Sequence, residues 1–404
     1  MSNCCIIGLG YIGLPTAALI AMSNHNVIGV DINQNILEMI RNGHVHFYEP
    51  GLLEILKKVI SNKKMTVSNK PTYADVFIIA VPTPFKKNLD SLPEPDIQFV
   101  LSAAESIAPF LQKGNLIIIE STSPVGTTEK VRSLLKNKSK CNVDDLHICY
   151  CPERVIPGNI LKELVENNRV IGGIKKLDAE LAKEFYKSFC KGDIKISDAR
   201  TAELVKLTEN TFRDVNIAFA NELSIICDEL NVDVEDLINL SNQHPRVNIL
   251  KPSCGVGGHC IAVDPWFLVS AAPDSANLIR TAREVNNAKI SWVETKIQDV
   301  AKQFFDENCR NPTICCLGLT FKPNVDDIRE SPAKKIVENL ISFGLKLMIC
   351  EPNLKNIQNI NLDSLDDVVC KSDIIVFLVA HDEFKKLNLE NEFIMDFCGV
   401  SKFL

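Results

Sequence analysis

The stretch Cys4-Cys5-Ile6-Ile7-Gly8-Leu9-Gly10-Tyr11-Ile12-Gly13 sets a short apolar run directly before three glycines spaced G-x-G-x-x-G. The apolar run predicts a buried strand, and the residues that follow the third glycine, through Ala21, predict a helix. The next apolar run, 27–31, ends in Asp31, 18 residues after Gly13. A strand, a glycine turn, a helix and a second strand ending in an acid form the dinucleotide-binding unit of doubly wound α/β domains.

Each glycine of this turn has a separate physical reason. Gly8 permits the tight turn, Gly10 lets the backbone approach a pyrophosphate, and Gly13 allows the helix to pack closely on the strand. The helix N-terminus then offers free N–H groups to the anion. Asp31 is placed to bind ribose hydroxyls and to repel a 2′-phosphate, which favours NAD over NADP. The alternative, a purely structural glycine turn, is disfavoured by the complete unit around it.

Composition limits the class of protein. The 404 residues exceed the size at which a single core stops growing, so two or three domains are expected. A hydrophobic share of 46% and a charged share of 24% are typical of a soluble globular chain. The net charge of −7 argues against nucleic acid or an anionic membrane as a general partner. The longest apolar runs, such as 374–380, are too short to span a bilayer.

The fifteen cysteines do not predict a disulfide framework. Their number is odd, and many lie in apolar runs, as at Cys4-Cys5 and Cys315-Cys316. No secretory segment is evident before the first strand, so reduced thiols and a cytoplasmic location are expected. No C-x-x-C pair exists, and Cys149-Tyr150-Cys151 has the wrong spacing for zinc, so no metal site is expected.

The C-terminal part of the chain repeats the order of the first. Strands are predicted at 313–317, 345–350 and 373–379 with a helix at 331–342. The middle strand is followed by an acid, Glu351, just as the run 27–31 ends in Asp31. The turn after 313–317 carries Lys322 in place of the full glycine fingerprint, so this half is expected to bind something other than a dinucleotide.

Two central stretches, 201–230 and 274–311, lack Gly and Pro and carry apolar residues at helical spacing. Their length suits a spacer or a subunit interface. The predicted architecture is therefore two Rossmann-like doubly wound parallel-sheet domains joined by a central all-helical domain with a long connecting helix. We expect domain boundaries at 1–200, 201–300 and 301–404.

A second motif carries chemistry. The run Gly255-Val256-Gly257-Gly258-His259-Cys260-Ile261-Ala262-Val263-Asp264-Pro265 presents a thiol on a glycine-rich turn, with a carboxylate four residues later. A buried cysteine is usually only a small hydrophobe. Together with a dinucleotide site, however, a nucleophile beside a base indicates oxidation through a thioester.

Other candidates lie where apolar strands end, because ligands of such sheets bind there. Thr83 and Thr122 follow two strands, and Glu153 follows the predicted strand 147–150. Lys206 and Asn210, four residues apart on a helix, share a face and could stabilise an oxyanion. The alternatives are ordinary turns, an exposed glutamate and a solvated helix face.

The motifs occur in the order found in the nucleotide-sugar 6-dehydrogenases, a family that includes UDP-glucose and GDP-mannose dehydrogenases. The resemblance runs from Met1 to about His381 and rests on the segments 8–13, 81–84, 121–126, 152–158, 206–211, 255–265 and 321–332. Within the family, 244–248 and 257–267 most resemble members that act on UDP-N-acetylmannosamine. UDP-glucose dehydrogenases typically carry a small hydroxyl residue at the position of His259. One departure is Pro252-Ser253-Cys254, where a Pro-Gly-Pro type of run is usual.

The resemblance implies an NAD-dependent four-electron oxidation of the sugar at C6 to the uronic acid, through a thiohemiacetal and a thioester on Cys260, with two NAD per turnover. Such enzymes serve polysaccharide biosynthesis. It implies a homodimer formed through the central helical domain, with Arg246 contacting the sugar and in this family able to come from the neighbouring subunit. The implied catalytic residues are Cys260, Lys206, Asn210, Asp264, Glu153 and Thr122. The implied cofactor contacts are Gly8, Gly10, Tyr11, Ile12, Gly13, Asp31, Thr83, Thr122 and Arg329. The implied substrate contacts are Glu153, Arg154, Lys206, Asn210, Arg246, Gly257, His259, Phe321 and Lys322.

Three alternatives stay open. The same chemistry could act on UDP-N-acetylglucosamine or UDP-glucose. The chain could be a nucleotide-sugar-binding protein without catalysis, which the presence of Cys260, Lys206, Asn210 and Asp264 disfavours. A two-electron alcohol dehydrogenase would need no thiol, so the yield of NADH per sugar distinguishes it.

Overall fold

The computed structural model describes residues 1–86, 93–258, 260–387, 389 and 393–400. The chain divides into two compact units, Met1–Thr208 and Glu209–Leu404. Among the described helices, none has the length and apolar character needed to cross a membrane.

The first unit is built on one eight-stranded sheet of order β3-β2-β1-β4-β5-β6-β7-β8. All its neighbouring strands are parallel except β6 and β7, which pair antiparallel. The last two strands therefore run against the other six, a departure from the fully parallel sheet predicted. The strands are β1 Asn3–Ile7, β2 Asn26–Val30, β3 Met65–Ser68, β4 Val76–Ile79, β5 Leu116–Ile119, β6 His147–Tyr150, β7 Arg169–Gly173 and β8 Ile194–Asp198.

Helices cover both faces of this sheet. Strand β1 is buried on both sides, because Cys4 and Ile6 belong to one buried cluster and the alternate residues Cys5 and Ile7 belong to another. Strands buried on both faces read as continuous apolar runs, which is why β4 and β5 contain only Val, Phe, Leu and Ile. The helices are α1 Gly13–Met22, α2 Gln34–Arg41, α3 Leu52–Ser61, α4 Gln98–Ile107, α5 Thr127–Lys138, α6 Ile160–Glu166, α7 Lys176–Tyr186 and the start of α8 Ala199–Leu230.

The second unit holds a four-stranded parallel sheet of order β10-β9-β11-β12. Its strands are β9 Thr313–Leu317, β10 Lys346–Cys350, β11 Ile374–Phe377 and β12 Phe393–Asp396. The end of α8 lies in this unit, followed by α9 Val234–Ser241, α10 Asp264–Ala271, α11 Asn277–Asn308, α12 Pro332–Ser342 and α13 Leu365–Lys371.

A buried polar network joins the two long helices inside the second unit. Asp214 of α8 accepts from Arg283 Nη1 of α11 at 2.6 Å and from Asn286 Nδ2 at 2.8 Å. Asn221 of α8 donates to Asn286 Oδ1 at 2.9 Å. A buried charge is tolerated only when it is paired and hydrogen-bonded, so this network fixes the register of α8 against α11.

The predicted fold class is confirmed: the chain contains two Rossmann-like sheets, and a helical region with two long helices lies between them in the sequence. In both sheets, the chain first adds strands on one side of its first strand and then crosses over to add strands on the other side. The two switch points lie between β1 and β4 and between β9 and β11. Such switch points create the crevice in which these folds bind ligands. The functional candidates that follow β1, β4, β5 and β9 are therefore on the ligand-binding edges.

Candidate active site

The glycine turn after β1 has the geometry of a dinucleotide cradle. Gly8 has φ +95°, in the region that favours glycine. A Cβ on Gly8 would lie 2.5 Å from the Ala80 carbonyl oxygen, and one on Gly13 would overlap the carbonyl oxygen of Gly8. A Cβ on Gly10 would meet no atom within 4 Å, so this backbone faces open space where a pyrophosphate fits.

Asp31 directly follows β2 and closes the same turn. Its Oδ2 accepts the backbone N–H of Leu9 at 2.9 Å, and its Oδ1 accepts that of Asn33 at 2.9 Å. Each carboxylate oxygen has more than one acceptor site, so both can also accept a ribose hydroxyl. The residues around the turn therefore fit NAD. Tyr11 stacks on Phe47 with ring centroids 4.3 Å apart, and Ile12 is the residue that precedes α1.

The structure brings Thr83 and Thr122 together. These residues follow the neighbouring strands β4 and β5, and the Thr83 hydroxyl donates to the Thr122 carbonyl at 2.7 Å. The adjacent Ser121 hydroxyl donates to the Val81 carbonyl at 2.7 Å. These bonds tie the two strand ends into one polar rim beside the switch point.

Glu153 is buried, unlike the exposed glutamate that was the alternative. Its Oε2 accepts a hydrogen bond from Arg169 Nη1 at 3.2 Å, and its Oε1 accepts one from the backbone N–H of Arg154 at 2.6 Å. Arg169 is itself buried and also donates to the Leu164 carbonyl at 3.0 Å. A paired, hydrogen-bonded carboxylate of this kind is held in one orientation, as a general base requires.

A second buried carboxyl group, that of Glu120, interacts with the Glu153–Arg169 ion pair. Tyr186 donates to its Oε1 at 2.5 Å, and the Arg169 guanidinium lies 4.6 Å from the centroid of the Tyr186 ring. Burial, reinforced by the charge of Glu153, raises the pKa of Glu120 to about 7. Arg169 thus lies near two acids and pairs directly with only one of them, Glu153. Glu120, the other acid, keeps its proton to near-neutral pH.

The first turns of α8 carry a buried glutamate and a buried lysine three residues apart. Glu203 accepts the backbone N–H groups of Gly126 at 2.6 Å and of Thr128 at 2.8 Å, together with the Thr128 hydroxyl at 2.7 Å. These bonds fasten α8 to the N-terminus of α5, whose first N–H groups need acceptors. Lys206 is buried at this end of α8.

In the second unit, one backbone turn links Cys260 to Asp264. The Cys260 carbonyl accepts the N–H of Val263 at 3.1 Å and that of Asp264 at 2.8 Å. Asp264 is the first residue of α10 and is buried, and its Oδ2 receives the Asn210 side-chain N–H at 2.5 Å. The structure therefore places three predicted catalytic residues, Cys260, Asp264 and Asn210, in one cluster.

The loop after β9 packs on the residues just before Cys260. A Cβ on Gly257 would lie 2.9 Å from Phe321 Cβ, and one on Gly258 would lie 3.0 Å from the Phe321 ring. The Gly258 N–H donates to the Arg329 carbonyl at 3.1 Å. A side chain is excluded at Gly257 chiefly by the Glu330 carbonyl oxygen, 2.6 Å from such a Cβ, and at Gly258 by the Phe321 ring.

The remaining predicted contacts are more loosely placed. Lys322 Nζ lies 5.6 Å from the Phe321 ring centroid, and Arg329 forms a two-pronged ion pair with Asp327, with its shorter arm at 2.6 Å. Arg154 donates through Nη1 to the Asn168 carbonyl at 3.2 Å. Arg246 is exposed on the loop after α9, and His259 lies outside the described residues.

Sequence reasoning missed Glu120, Arg169, Tyr186 and Glu203. A weak signal existed for two of them: Glu120 directly follows the apolar strand β5, and Arg169 is the only charged residue of β7. A charged residue at the boundary of a buried strand needs a partner. The sequence does not indicate that the partner is Glu153, 16 residues away from Arg169.

The cysteines divide by exposure. Ten of the fourteen cysteines other than Cys260 are buried and two more, Cys141 and Cys398, are partly so. Cys309 and Cys370 are exposed, whereas Cys260 is half-buried. Burial raises the pKa of Cys4, Cys151 and Cys254 to about 12, which makes these thiols unreactive.

Models of one family match nearly the whole chain. They are the UDP-glucose/GDP-mannose dehydrogenase family NAD binding domain over residues 2–190, central domain over 200–288 and UDP binding domain over 315–402. The glycine turn, the Cys260 turn and the Phe321 loop lie in these three matches respectively.

Similar proteins cover the chain end to end. UDP-N-acetyl-D-mannosamine dehydrogenase of Campylobacter jejuni is 49% identical over 98% of both chains. NDP-N-acetyl-D-galactosaminuronic acid dehydrogenase of Ralstonia nicotianae is 46% identical over 98% of this chain and 95% of its own. The solved structure of the UDP-N-acetylmannosamine dehydrogenase from Pyrococcus horikoshii superimposes with a TM-score of 0.89 at 39% identity, over 98% of this chain and 96% of its own. The chain belongs to the UDP-glucose/GDP-mannose dehydrogenase family and is an NAD-dependent nucleotide-sugar dehydrogenase.

Proposed function

We propose that this protein oxidises UDP-N-acetyl-D-mannosamine at C6 to UDP-N-acetyl-D-mannosaminuronate, a four-electron oxidation that uses two NAD. The observation that carries the chemistry is the turn in which Cys260 and Asp264 are joined by a backbone hydrogen bond of 2.8 Å while Asn210 holds the Asp264 carboxylate at 2.5 Å. The choice of sugar is supported by the 49% identity to the Campylobacter enzyme of that name.

The thiol of Cys260 is the proposed nucleophile. Bound at the Gly8–Gly13 turn, NAD supplies a hydride acceptor. Loss of a hydride from the C6 alcohol gives an aldehyde, which the Cys260 sulfur attacks to give a thiohemiacetal. Loss of a second hydride gives a thioester, and water cleaves it to release the acid and the free thiol. Holding the intermediate on the protein prevents loss of a reactive aldehyde.

Lys206 and Asn210 are the proposed oxyanion stabilisers. An amide nitrogen carries two N–H groups, so Asn210 can donate one to Asp264 and the other to the substrate oxygen. Lys206 adds a positive charge, which favours the negative oxygen of the tetrahedral states. We assign proton transfer and activation of the hydrolytic water jointly to Asp264 and Glu153, together with Thr122.

The remaining contacts are assigned by the resemblance. The proposed cofactor contacts are Gly8, Gly10, Tyr11, Ile12, Gly13, Asp31, Thr83, Thr122 and Arg329. The proposed substrate contacts are Glu153, Arg154, Lys206, Asn210, Arg246, Gly257, His259, Phe321 and Lys322. We propose domain boundaries of 1–200, 201–300 and 301–404, supported by family matches over 2–190, 200–288 and 315–402. A cytoplasmic location is proposed from the many free thiols.

We also propose a homodimer formed through the central helices. Phe212, Phe219 and Leu230 of α8 are 67%, 53% and 67% exposed, and Ile226 adds to this apolar stripe. A contiguous apolar face of this kind marks an interaction surface. Phe219→Asp should convert a dimer to a monomer in light scattering coupled to gel filtration. The matched control Phe343→Asp, at a 64% exposed phenylalanine outside the stripe, should stay dimeric. A monomeric wild type would contradict the dimer.

The test of the proposed function is a substrate panel with NADH counted per sugar consumed. UDP-N-acetylmannosamine should be preferred and should yield two NADH, with the uronic acid as sole product. The panel includes UDP-N-acetylglucosamine, UDP-glucose and, because of the Ralstonia relative, UDP-N-acetylgalactosamine. Preference for another sugar would overturn the substrate assignment. One NADH per sugar, with aldehyde released, would overturn the covalent scheme.

A further inference from the structure

The C-terminal sheet repeats the glycine–acid geometry of the first sheet. Gly318 follows β9 with φ +97°, as Gly8 follows β1 with φ +95°. In each case the next backbone N–H donates to a carboxylate that follows the neighbouring strand, to Glu351 at 2.7 Å and to Asp31 at 2.9 Å. The acid that closes a dinucleotide turn in the first sheet thus has a structural counterpart in the second.

Glu351 differs from Asp31 in the number of hydrogen bonds that its carboxylate accepts. It also accepts the backbone N–H groups of Thr320 at 3.1 Å and Asn353 at 2.9 Å, and His381 Nε2 lies 3.0 Å from its Oε2. Burial alone would raise the pKa of Glu351, but the hydrogen bonds from His381 and the backbone lower it to about 2. The carboxylate is therefore a permanent acceptor that is already filled by this chain's own donors.

His381 connects Glu351 to the loop after β9. The ring is fully buried, and its Nδ1 lies 2.9 Å from the backbone N–H of Asn324 and 3.0 Å from Asn353 Nδ2. A backbone N–H can only donate, so Nδ1 accepts and the ring proton is on Nε2, facing Glu351. Asn324 has φ +59°, a conformation that costs free energy unless its surroundings hold it.

The anchored loop reaches the nucleophile's turn through direct contacts. The Thr320 hydroxyl donates to the Lys322 carbonyl at 3.0 Å, and Asn324 exchanges two hydrogen bonds with Asp382. Between these fixed points, the Phe321 ring occupies the side-chain space of Gly258. Gly258 is two residues before Cys260.

We propose that the Glu351–His381 pair is a positioning element that fixes the 320–324 loop, so that Phe321 supports the Cys260 turn and Lys322 is held ready for the UDP-sugar. The part that concerns the sugar rests on the proposed function. Neither residue touches the reacting atoms. Their effect on catalysis is transmitted through Asn324 and Phe321.

The test compares two substitutions of one residue. His381→Asn keeps an acceptor at the position of Nδ1 but is too short to reach Glu351, whereas His381→Leu removes both hydrogen bonds at similar volume. The first measurement is hydrogen exchange of the Asn324 amide, which needs no substrate. Exchange should accelerate at least about tenfold in His381→Leu and much less in His381→Asn, since a lost buried hydrogen bond costs about 1–3 kcal/mol. The Gly318 amide, bonded to the Cys350 carbonyl, is the internal control and should not change.

The second measurement is steady-state kinetics. In His381→Leu the KM for the UDP-sugar should rise about tenfold while the KM for NAD stays near the wild-type value, and His381→Asn should restore part of the loss. An unchanged Asn324 exchange rate in His381→Leu would overturn the anchor. Faster exchange with an unchanged KM for the sugar would overturn its role in positioning. A wild type that oxidises no nucleotide sugar would count against the proposed function alone, because the exchange measurement still decides the anchor.

Discussion

Glu120→Gln should stabilise the protein at pH 8 and leave it unchanged at pH 4. Glu120 is 3% exposed, and burial together with the charge of Glu153 raises its pKa from 4.5 to about 7. Between pH 4.5 and about 7, Glu120 is deprotonated in the unfolded chain but still protonated in the folded chain. The free energy of unfolding therefore falls as the pH rises through this window. The difference corresponds to about 3 kcal/mol. The glutamine amide resembles the protonated carboxyl and can still accept from Tyr186, so the variant should escape the loss.

The assay is urea unfolding of wild type and variant at four pH values from 4 to 8. The free-energy difference should grow from near zero to roughly 3 kcal/mol in favour of Glu120→Gln, with most of the change between pH 5 and 7. Glu54→Gln, at an exposed position, is the matched control and should show no such trend. A difference that stays constant across the whole range would refute the assignment of a buried, protonated Glu120.

Three further outcomes test the cofactor cradle and the carboxylate cluster. Gly13→Ala should abolish NAD binding in calorimetry, because its methyl group would overlap the Gly8 carbonyl oxygen, whereas Gly10→Ala should fold normally and only weaken binding. Normal NAD affinity in Gly13→Ala would contradict the cradle. Asp31→Ala should narrow the preference for NAD over NADP in comparative kinetics, and a wild type that already prefers NADP would contradict the role of this acid. Asn210→Asp would set a second carboxylate beside Asp264, so the acid limb of the kcat profile should move to higher pH, and an unshifted profile would contradict their contact.

Much of the fold is predictable because its determinants are local. The apolar runs at β1, β9 and β11 are buried on both faces, and their limits are marked by glycine turns and acids. The long helices α8 and α11 were predicted from the absence of Gly and Pro and from apolar periodicity. The antiparallel pairing of β6 with β7 was not predicted, since strand direction depends on the path of the connection and not on the residues of the strand.

The candidate site shows the same limit. The turn that joins Cys260 to Asp264 was predicted because both residues lie in one short motif. The partners of Glu153 come from distant positions, and no spacing rule connects Arg169 or Glu120 to it. Likewise, the sequence suggested that Glu351 corresponds to Asp31, but only the structure reveals that His381 and the backbone fill its acceptor sites.

The exposed thiols Cys309 and Cys370 make simple alkylation counts ambiguous. Protection by substrate removes the ambiguity, because only a thiol at the sugar should be shielded. Iodoacetamide labelling of Cys260 should fall when UDP-N-acetylmannosamine is present, while labelling of the two exposed thiols stays constant. Equal labelling of Cys260 with and without the sugar would contradict its place in the site.

The central claim is that Cys260 carries the substrate covalently, and the most direct measurement is uronic acid formation by Cys260→Ala. The variant should still bind NAD, because the glycine turn lies in the other compact unit, and should lose steady-state turnover by several orders of magnitude. Cys309→Ala, at an exposed thiol, is the matched control and should retain full activity with two NADH per sugar. Near-normal formation of the uronic acid by Cys260→Ala would make this cysteine a packing residue and contradict the account.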